Sequence, residues 1–412
     1  MKRNKVKMIV FLVFISVLLV SWAHDGSSSE EKVIKLGQIL PLSGSGVLWG
    51  DQGVLLGRTA AELFNKAGGI TIKGQKYIYE VVSYDSGYHA KGGSEAAYRL
   101  VYKDKVDFIL SSLGSPVTAA SQVVTEPKKI ITFTPSWAGF LTDKAKYTFR
   151  LDFTPKIMTP GGVVYMKKTF PKVRRVAMIG PNDEGGVTGM ENDKQVWLKH
   201  GFEVAYFDYY EKDTTEFYPI VTRILATKPD IIQTVSPRPG SHGVLLKAIY
   251  EQGYKGIIEG SHDPITDINT SGEFRAEGVY SFTASVFGSA VCPPMANYLD
   301  KLCIEKTKEP LCFPAAVSWD GLACLHEALF RAQSLDADDL VRTMKKDNFC
   351  FHSTYGVATF GGDKRVQIAG PTLVGQIQNG KFVILETSMS DEVKERLSHC
   401  KGPLANYPKP PK

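Results

Sequence analysis

An α/β fold made of two doubly wound parallel-sheet lobes is what this 412-residue sequence predicts. Apolar strand patterns alternate with helical ones from Val33 to Phe133. The alternation restarts near Thr154 and runs to Glu259, and most strands give way to a loop rich in Gly, Ser or Thr. Alternating strands and helices build a parallel sheet with helices on both faces. Two series of this kind read as the same architecture used twice.

In the first series, Val33–Leu40 is an apolar strand run. Leu56, Ala60, Leu63 and Ala67 then mark one face of a helix that Gly68-Gly69 closes. Tyr77–Tyr84 alternates as a strand, and Ala97, Leu100 and Val101 place Ser94–Lys103 in a helix. Phe108–Leu110 and Ile130–Phe133 are short buried strands on either side of a helix at Thr118–Thr125. The second series runs strand Arg175–Ile179, helix Gly189–His200, strand Glu203–Tyr210, helix Tyr218–Ala226, strand Asp230–Val235, helix Gly243–Gln252 and strand Gly256–Glu259. Gly278–Thr283 adds a strand, and helices follow at Met295–Thr307, Ala315–Gln333 and Asp338–Lys346. Asn379-Gly380 between Pro371–Ile377 and Lys381–Leu385 spells a hairpin. From Tyr407 the Pro-rich end reads as loose chain.

Ligands of such sheets bind beyond the carboxyl ends of the strands. The loops in that place are Pro41–Asp51, Ser111–Thr118 and Thr134–Phe140 in the first series, and Gly180–Thr188, Ser236–His242 and Gly260–Thr266 in the second. The first three are rich in hydroxyls, glycine or tryptophan at helix starts, where backbone N–H groups suit an anion. A lone Ser there is more often a helix cap; three such loops on one sheet edge favour a shared site. Trp49, in a Gly/Ser-rich turn, is placed either to stack on a ligand or to pack on its own helix. The second set carries Asp183, Glu184, Arg238, His242, His262 and Asp263.

Composition narrows the class. The chain is 43% hydrophobic and 22% charged, as in ordinary globular proteins. Its net charge of +6 falls to +2 (45 basic against 43 acidic residues) once Lys2, Arg3, Lys5 and Lys7 are set aside, which argues against a nucleic-acid partner. Those four charges precede the apolar run Met8–Val20 and the small residues around Ala23, so Met1–Ala23 reads as a secretory signal too short for a full membrane span. The six cysteines, Cys292, Cys303, Cys312, Cys324, Cys350 and Cys400, permit disulfides in an exported chain without fixing their pairing. Cys303 and Cys312 are near enough to clip a local loop, and Cys324 sits in an apolar helical pattern as a buried thiol. Metal-ligand spacings are missing, so neither a metal nor a cofactor is expected.

Enzyme readings fit poorly. Gly44-Ser45-Gly46 with Gly50 is close to a dinucleotide fingerprint, but its spacing is GxGxxxG and Asp85 lies about twice as far on as the ~20 residues that motif asks. A GxSxG nucleophile turn is absent. Adjacent Asp183-Glu184 point apart and read as a solvated loop, and His262-Asp263 reads as a polar ligand contact or a cap.

The signal, Ser43–Gly53 (SGSGVLWGDQG) between strand and helix, Ala67–Ile70 (AGGI), Ser83–Asp85 (SYD) and Lys228–Asp230 (KPD) resemble, in order and spacing, the solute-binding proteins of branched-chain amino-acid ABC transporters. The likeness runs from Val33 to Glu386. It implies a type I periplasmic binding protein whose two lobes are joined by three crossovers: a first lobe of 33–151 plus 279–355 and a second of 152–278 plus 356–412. It also implies a monomeric, periplasmic, non-enzymatic binder that hands a small-molecule ligand to inner-membrane permease subunits; a sensory binder serving a receptor is the alternative. By position, Trp49 matches an aromatic against the ligand, Leu113, Gly114 and Ser115 match the loop meeting its carboxylate, and Ser136, Trp137 and Ala138 match the loop facing its head group. Gly185 and Arg238 fall where amino-acid binders carry aromatics, and His262, beside Asp263, falls at the acid that pairs with the ligand ammonium. Gly114 and Ala138 lack the family's hydroxyls, and His262 is not a carboxylate. With Arg238 as a fixed cation, these departures point to a small carboxylate or amide with an apolar or aromatic body, amino acids remaining possible through Asp263.

Overall fold

The computed structural model describes residues 31–151, 153–211, 214–237, 239–260, 262–284, 287, 289, 292–360, 367–368, 371–389, 391–400 and 407–411. The signal expected at Met1–Ala23 lies outside them.

Six strands, β1 (Lys32–Leu40), β2 (Ile70–Ile72), β3 (Gln75–Asp85), β4 (Phe108–Ser112), β5 (Thr132–Thr134) and β6 (Thr148–Arg150), form the first sheet in the order β2-β3-β1-β4-β5-β6. All neighbours are parallel except the β2–β3 pair. The period of two along β1 explains why it is central. Ile34 and Leu36 join one core with Leu56 and Phe64, while Ile39 joins the opposite core with Ala97, Leu100 and Val117. A strand apolar on both faces is stable only with helices on both sides.

The second sheet repeats the plan. It contains β7 (Arg175–Pro181), β8 (Glu203–Tyr210), β9 (Ile231–Thr234), β10 (Ile257–Glu259) and β11 (Tyr280–Thr283). A return segment, β12 (Phe351–Ser353), β13 (Gly356–Phe360) and β14 (Gln367–Ile368), forms a small sheet of its own before β15 (Thr372–Gln378) and β16 (Lys381–Ser388) close the second sheet in the order β16-β15-β11-β10-β9-β7-β8. Val176 and Met178 of β7 face one core, Ala177 and Ile179 the other. The Asn379-Gly380 hairpin turn is present, with φ of 53° and 68°, the left-handed pair that a two-residue hairpin uses.

The lobe boundaries differ from those expected. Tyr280–Thr283 belongs to the second sheet, parallel to β10 and antiparallel to β15, so the return to the first lobe comes after it. Gly356–Phe360 stays with the first lobe: Ala358 and Phe360 sit in its core beside Phe149 and Phe349. The tail also departs. After β16 the helix Asp391–Ser398 comes back to the first lobe, where Cys400 is bonded to Cys350 and Arg396 lies 3.3 Å from Asp347. Tyr407, expected to be loose, packs on Phe64 and accepts a hydrogen bond from Trp319 Nε1 at 2.5 Å. An aromatic slot left open by the first core holds it. The chain therefore makes the three crossovers and a fourth passage.

Cys303 and Cys312 do not form the expected clip; neither is in a disulfide, and both are buried, as is Cys324. The helix Pro155–Thr169 was illegible because Pro160 and Gly161-Gly162 interrupt its pattern. Gly162 is needed there, since a Cβ would stand 2.2 Å from the Phe282 ring.

Candidate functional site

In both sheets strand order reverses about one strand. β1 pairs with β3 and β4, and β7 pairs with β8 and β9. Crevices at such reversals, beyond the strand carboxyl ends, are where open α/β sheets bind ligands. The loops that leave these strands meet across one cavity of about 90 Å³. Trp49, Tyr88, Leu113, Gly114, Ser115, Pro135, Ser136 and Trp137 line it from the first lobe, and Asp183, Gly185, Ser236, Pro237, His262 and Asp263 from the second. Phe313 and Pro314 complete it from the short turn Phe313–Ala316 that precedes the helix Val317–Ala332.

Nine of the eleven residues singled out from the sequence thus share one space. Ala138 does not line it: it is fully buried, its N–H donating to Ser115 Oγ at 3.3 Å. Arg238 lies outside the described residues. Tyr88 and Phe313 were missed, the first because its loop follows an edge-side strand, the second because its element returns from 200 residues away and no local pattern announces it. Asp183 is no solvated loop residue; it caps the helix Glu184–Lys199 by accepting from Gly186 N at 2.9 Å. His242 is buried beneath its loop, 2.7 Å from Asp267.

The first-lobe wall is neutral and pre-ordered. Trp49 occupies the first turn of the helix Val47–Lys66, its ring 6.0 Å from Tyr88, and its buried indole N–H meets no acceptor among the described residues. Asp85 holds the preceding loop by accepting from Leu42 N and Gly87 N, each at 2.8 Å, and from Ser43 Oγ at 2.6 Å. Burial acts to raise the Asp85 carboxyl, but these donors win and hold it below its usual range. Gly114, at φ 110°, starts the helix Ser115–Thr125 and donates its N–H to Ser136 Oγ at 3.1 Å. Ser136 Oγ also takes a hydrogen bond from Thr134 Oγ1 at 2.8 Å. Arg150, invisible as a site residue in the sequence, clamps that loop from below: Nε donates to Ser136 O at 2.6 Å and Nη2 to Ala138 O at 2.7 Å.

The second-lobe wall hides ionisable groups. His262 packs on Trp137 across the cleft, ring centroids 5.4 Å apart. Its Nδ1 bonds the Phe282 carbonyl, so the proton sits on Nδ1. Burial pushes its imidazole down to about 4, against the pull of that carbonyl and of Asp267, so it is neutral at pH 7. Behind it Asp193 accepts from Thr159 Oγ1 at 2.6 Å and Gln233 Nε2 at 2.9 Å, and Gln233 is itself held by Trp197 Nε1 at 2.8 Å. Burial nevertheless lifts the Asp193 carboxyl to about 7. Glu259 is raised well above its usual range, first by burial and then by Asp193.

Two helices of 11 and 16 residues, Ser115–Thr125 and Glu184–Lys199, begin at the cavity, and their first N–H groups carry the partial positive charge of a helix start. Two lobes of one plan thus face one small cavity between their switch points. Residues 33–381 match the family described as periplasmic binding protein, and the chain belongs to that family. It is 24% identical over 374 residues to the Leu/Ile/Val-binding protein homolog 8 of Brucella abortus, covering 85% of this chain and 89% of the relative. Among solved structures, a solute-binding protein of an ABC transporter from Rhodopseudomonas palustris in complex with 3,4-dihydroxybenzoic acid aligns with a TM-score of 0.73 at 20% identity, covering 87% of this chain and 98% of that one. The branched-chain amino acid transporter substrate-binding protein LivJ of Streptococcus pneumoniae, in complex with isoleucine, aligns at 0.72 and 18%, covering 87% and 99%.

Proposed function

We propose that this protein is the extracytoplasmic binding component of an ABC importer, and that it carries a small carboxylate with an aromatic or compact apolar body to its permease. One observation carries the choice of ligand. At the position where the family resemblance places an acid for a ligand ammonium stands His262, neutral, its Nδ1–H spent on Phe282 O. Asp183 is engaged as a helix cap, and the other acid lining the cavity is the half-buried Asp263. The rest of the wall suits an anion with a flat body. Two helix starts, the Trp49 indole N–H and the Ser115 hydroxyl supply donors, and Trp49, Tyr88, Trp137 and Phe313 supply apolar faces. The cavity is of the order of the ~150 Å³ that holds a benzene ring in a buried apolar void. Relatives point both ways, toward isoleucine in one solved neighbour and dihydroxybenzoate in another.

Calorimetry of the purified protein decides the matter. Benzoate and 4-hydroxybenzoate are expected to bind, and leucine, isoleucine and valine to bind far more weakly. Tight leucine binding that Asp263→Asn abolishes would overturn the reading, because Asp263 would then be an ammonium partner.

A further inference from the structure

We propose that seating a carboxylate in the cleft draws one proton onto the buried carboxyl of Asp193, which acts on the ligand through His262 as a positioning residue. The inference rests on the carboxylate reading above. The step is simple in balance: a solvent proton adds to the Asp193 carboxylate, and no bond to the ligand forms or breaks.

The geometry is a relay from the cavity wall into the second core. His262 lines the cavity, and its Nε2, the ring nitrogen not tied to Phe282, lies 3.9 Å from Asp193 Oδ2. Asp193 is fully buried, and the groups facing it come from every neighbouring element: Thr159 from the helix Pro155–Thr169, Gln233 from β9, Glu259 from β10 and His262 from the loop after β10. Asp267 acts on Glu259 and His262 from the helix Pro264–Thr270. Lys194, beside Asp193 on its own helix, lies over the Phe207 ring and within 4.0 Å of Glu191, so it supplies no compensating charge here.

A carboxylate ligand brings a second negative charge to the wall behind which Asp193 is buried, one imidazole away. Like charges so placed cannot both stay ionised cheaply. The ligand is held by fixed donors, whereas Asp193 already sits near half-protonation at pH 7, so Asp193 gives way. Once protonated, it can donate toward the free Nε2 of His262, which fixes the ring that packs on Trp137. An ammonium-bearing ligand would drive the opposite response, proton release.

Benzoate titrated by calorimetry at pH 7.5, in phosphate and in Tris, reads the proton directly. Wild type is expected to take up as much as about 0.8 of a proton per benzoate at pH 7.5, and its affinity to fall by up to about tenfold per pH unit above pH 7. Asp193→Asn is expected to bind with no buffer dependence and a flat pH profile. Buffer dependence that survives in Asp193→Asn, or a wild type that binds benzoate without any, overturns the proposal. A second arm needs neither ligand nor variant. In ¹⁵N-histidine-labelled wild type, the His262 Nε2 shift is expected to step near pH 7 while Nδ1 keeps its proton, and a flat shift from pH 6 to 8.5 overturns the proposal. If benzoate fails to bind, the carboxylate reading falls and this second arm still decides the role of Asp193.

Discussion

Gly185 is where closure can be tested with one substitution. It is the second residue of the helix Glu184–Lys199, buried, and a Cβ added there would stand 3.3 Å from Ser115 Oγ across the cleft, 3.5 Å from Asp183 Oδ1 and 3.7 Å from Ser236 Oγ. Gly185→Ala therefore needs the first lobe to yield by a few tenths of an ångström, while gaining up to ~1 kcal/mol of helix propensity. Gly185→Leu adds three further carbons where Ser115 already touches. Overpacking of this kind costs about 1–3 kcal/mol, and the share that falls on Ser115 burdens the closed form alone, because opening the cleft relieves it. Ligand affinity should drop roughly 5- to 150-fold while the melting temperature of the ligand-free protein is unchanged or higher. Calorimetry gives the affinity, and small-angle scattering should find that saturating ligand no longer compacts the variant. A Gly185→Leu protein that binds and compacts like wild type would refute the view that these two lobes meet through Ser115 and Gly185.

Arg150→Met should keep the apolar stem and strand the Ser136 and Ala138 carbonyls, each at a cost of about 1–3 kcal/mol. It should lower stability in denaturant titration and weaken binding together. Replacing Cys350 and Cys400 by serine frees a loop of sequence separation 50, which chain entropy values at about 4 kcal/mol; urea unfolding with and without reductant checks it, the variant being indifferent to reductant. Asp193 and Asp320 are both lifted to about 7 by burial. Between their ordinary value near 3.8 and pH 7 these two carboxyls thus hold more protons in the folded protein than in the unfolded chain, so their contribution to stability falls as pH rises through that window and levels off above it, while His262 and His326, pushed down to about 4 by burial, contribute in the opposite sense up to about pH 6.5. In thermal melts from pH 4 to 8.5, the stability difference between wild type and Asp193→Asn should follow the carboxyl course.

Much of the fold was readable because its strands announce themselves twice, by period and by punctuation. Glu203–Tyr210 and Tyr218–Ala226 stand where the pattern puts them, since each is bounded by turn residues and has a clear apolar face. The short, fully buried β5 and β6 were blurred or lost because three residues carry no period. Site residues at strand ends were readable because topology alone puts those loops at one edge. The groups that set the site's chemistry were not. Arg150, Asp193 and Glu259 look like ordinary charges in helix and strand until the fold takes them out of water, and burial is a property of the tertiary structure. Tyr407 is the plainest case: a Pro-rich end has no pattern, yet one aromatic side chain found a slot between Phe64 and Trp319.

That tail changes what the hinge is. β16 ends at Ser388, which pairs with Thr372, the first residue of β15, so the chain leaves the second lobe beside the strand by which it last entered. The helix that follows is fixed to the first lobe by a covalent bond at Cys400 and by Tyr407 in the core. A lobe held by three connections can both bend and twist about them. A fourth passage at one corner, with both ends anchored, resists the twist far more than the bend, because twisting must stretch adjacent segments in opposite senses. Any opening of the cleft must separate Trp137 from His262 and Ser115 from Gly185.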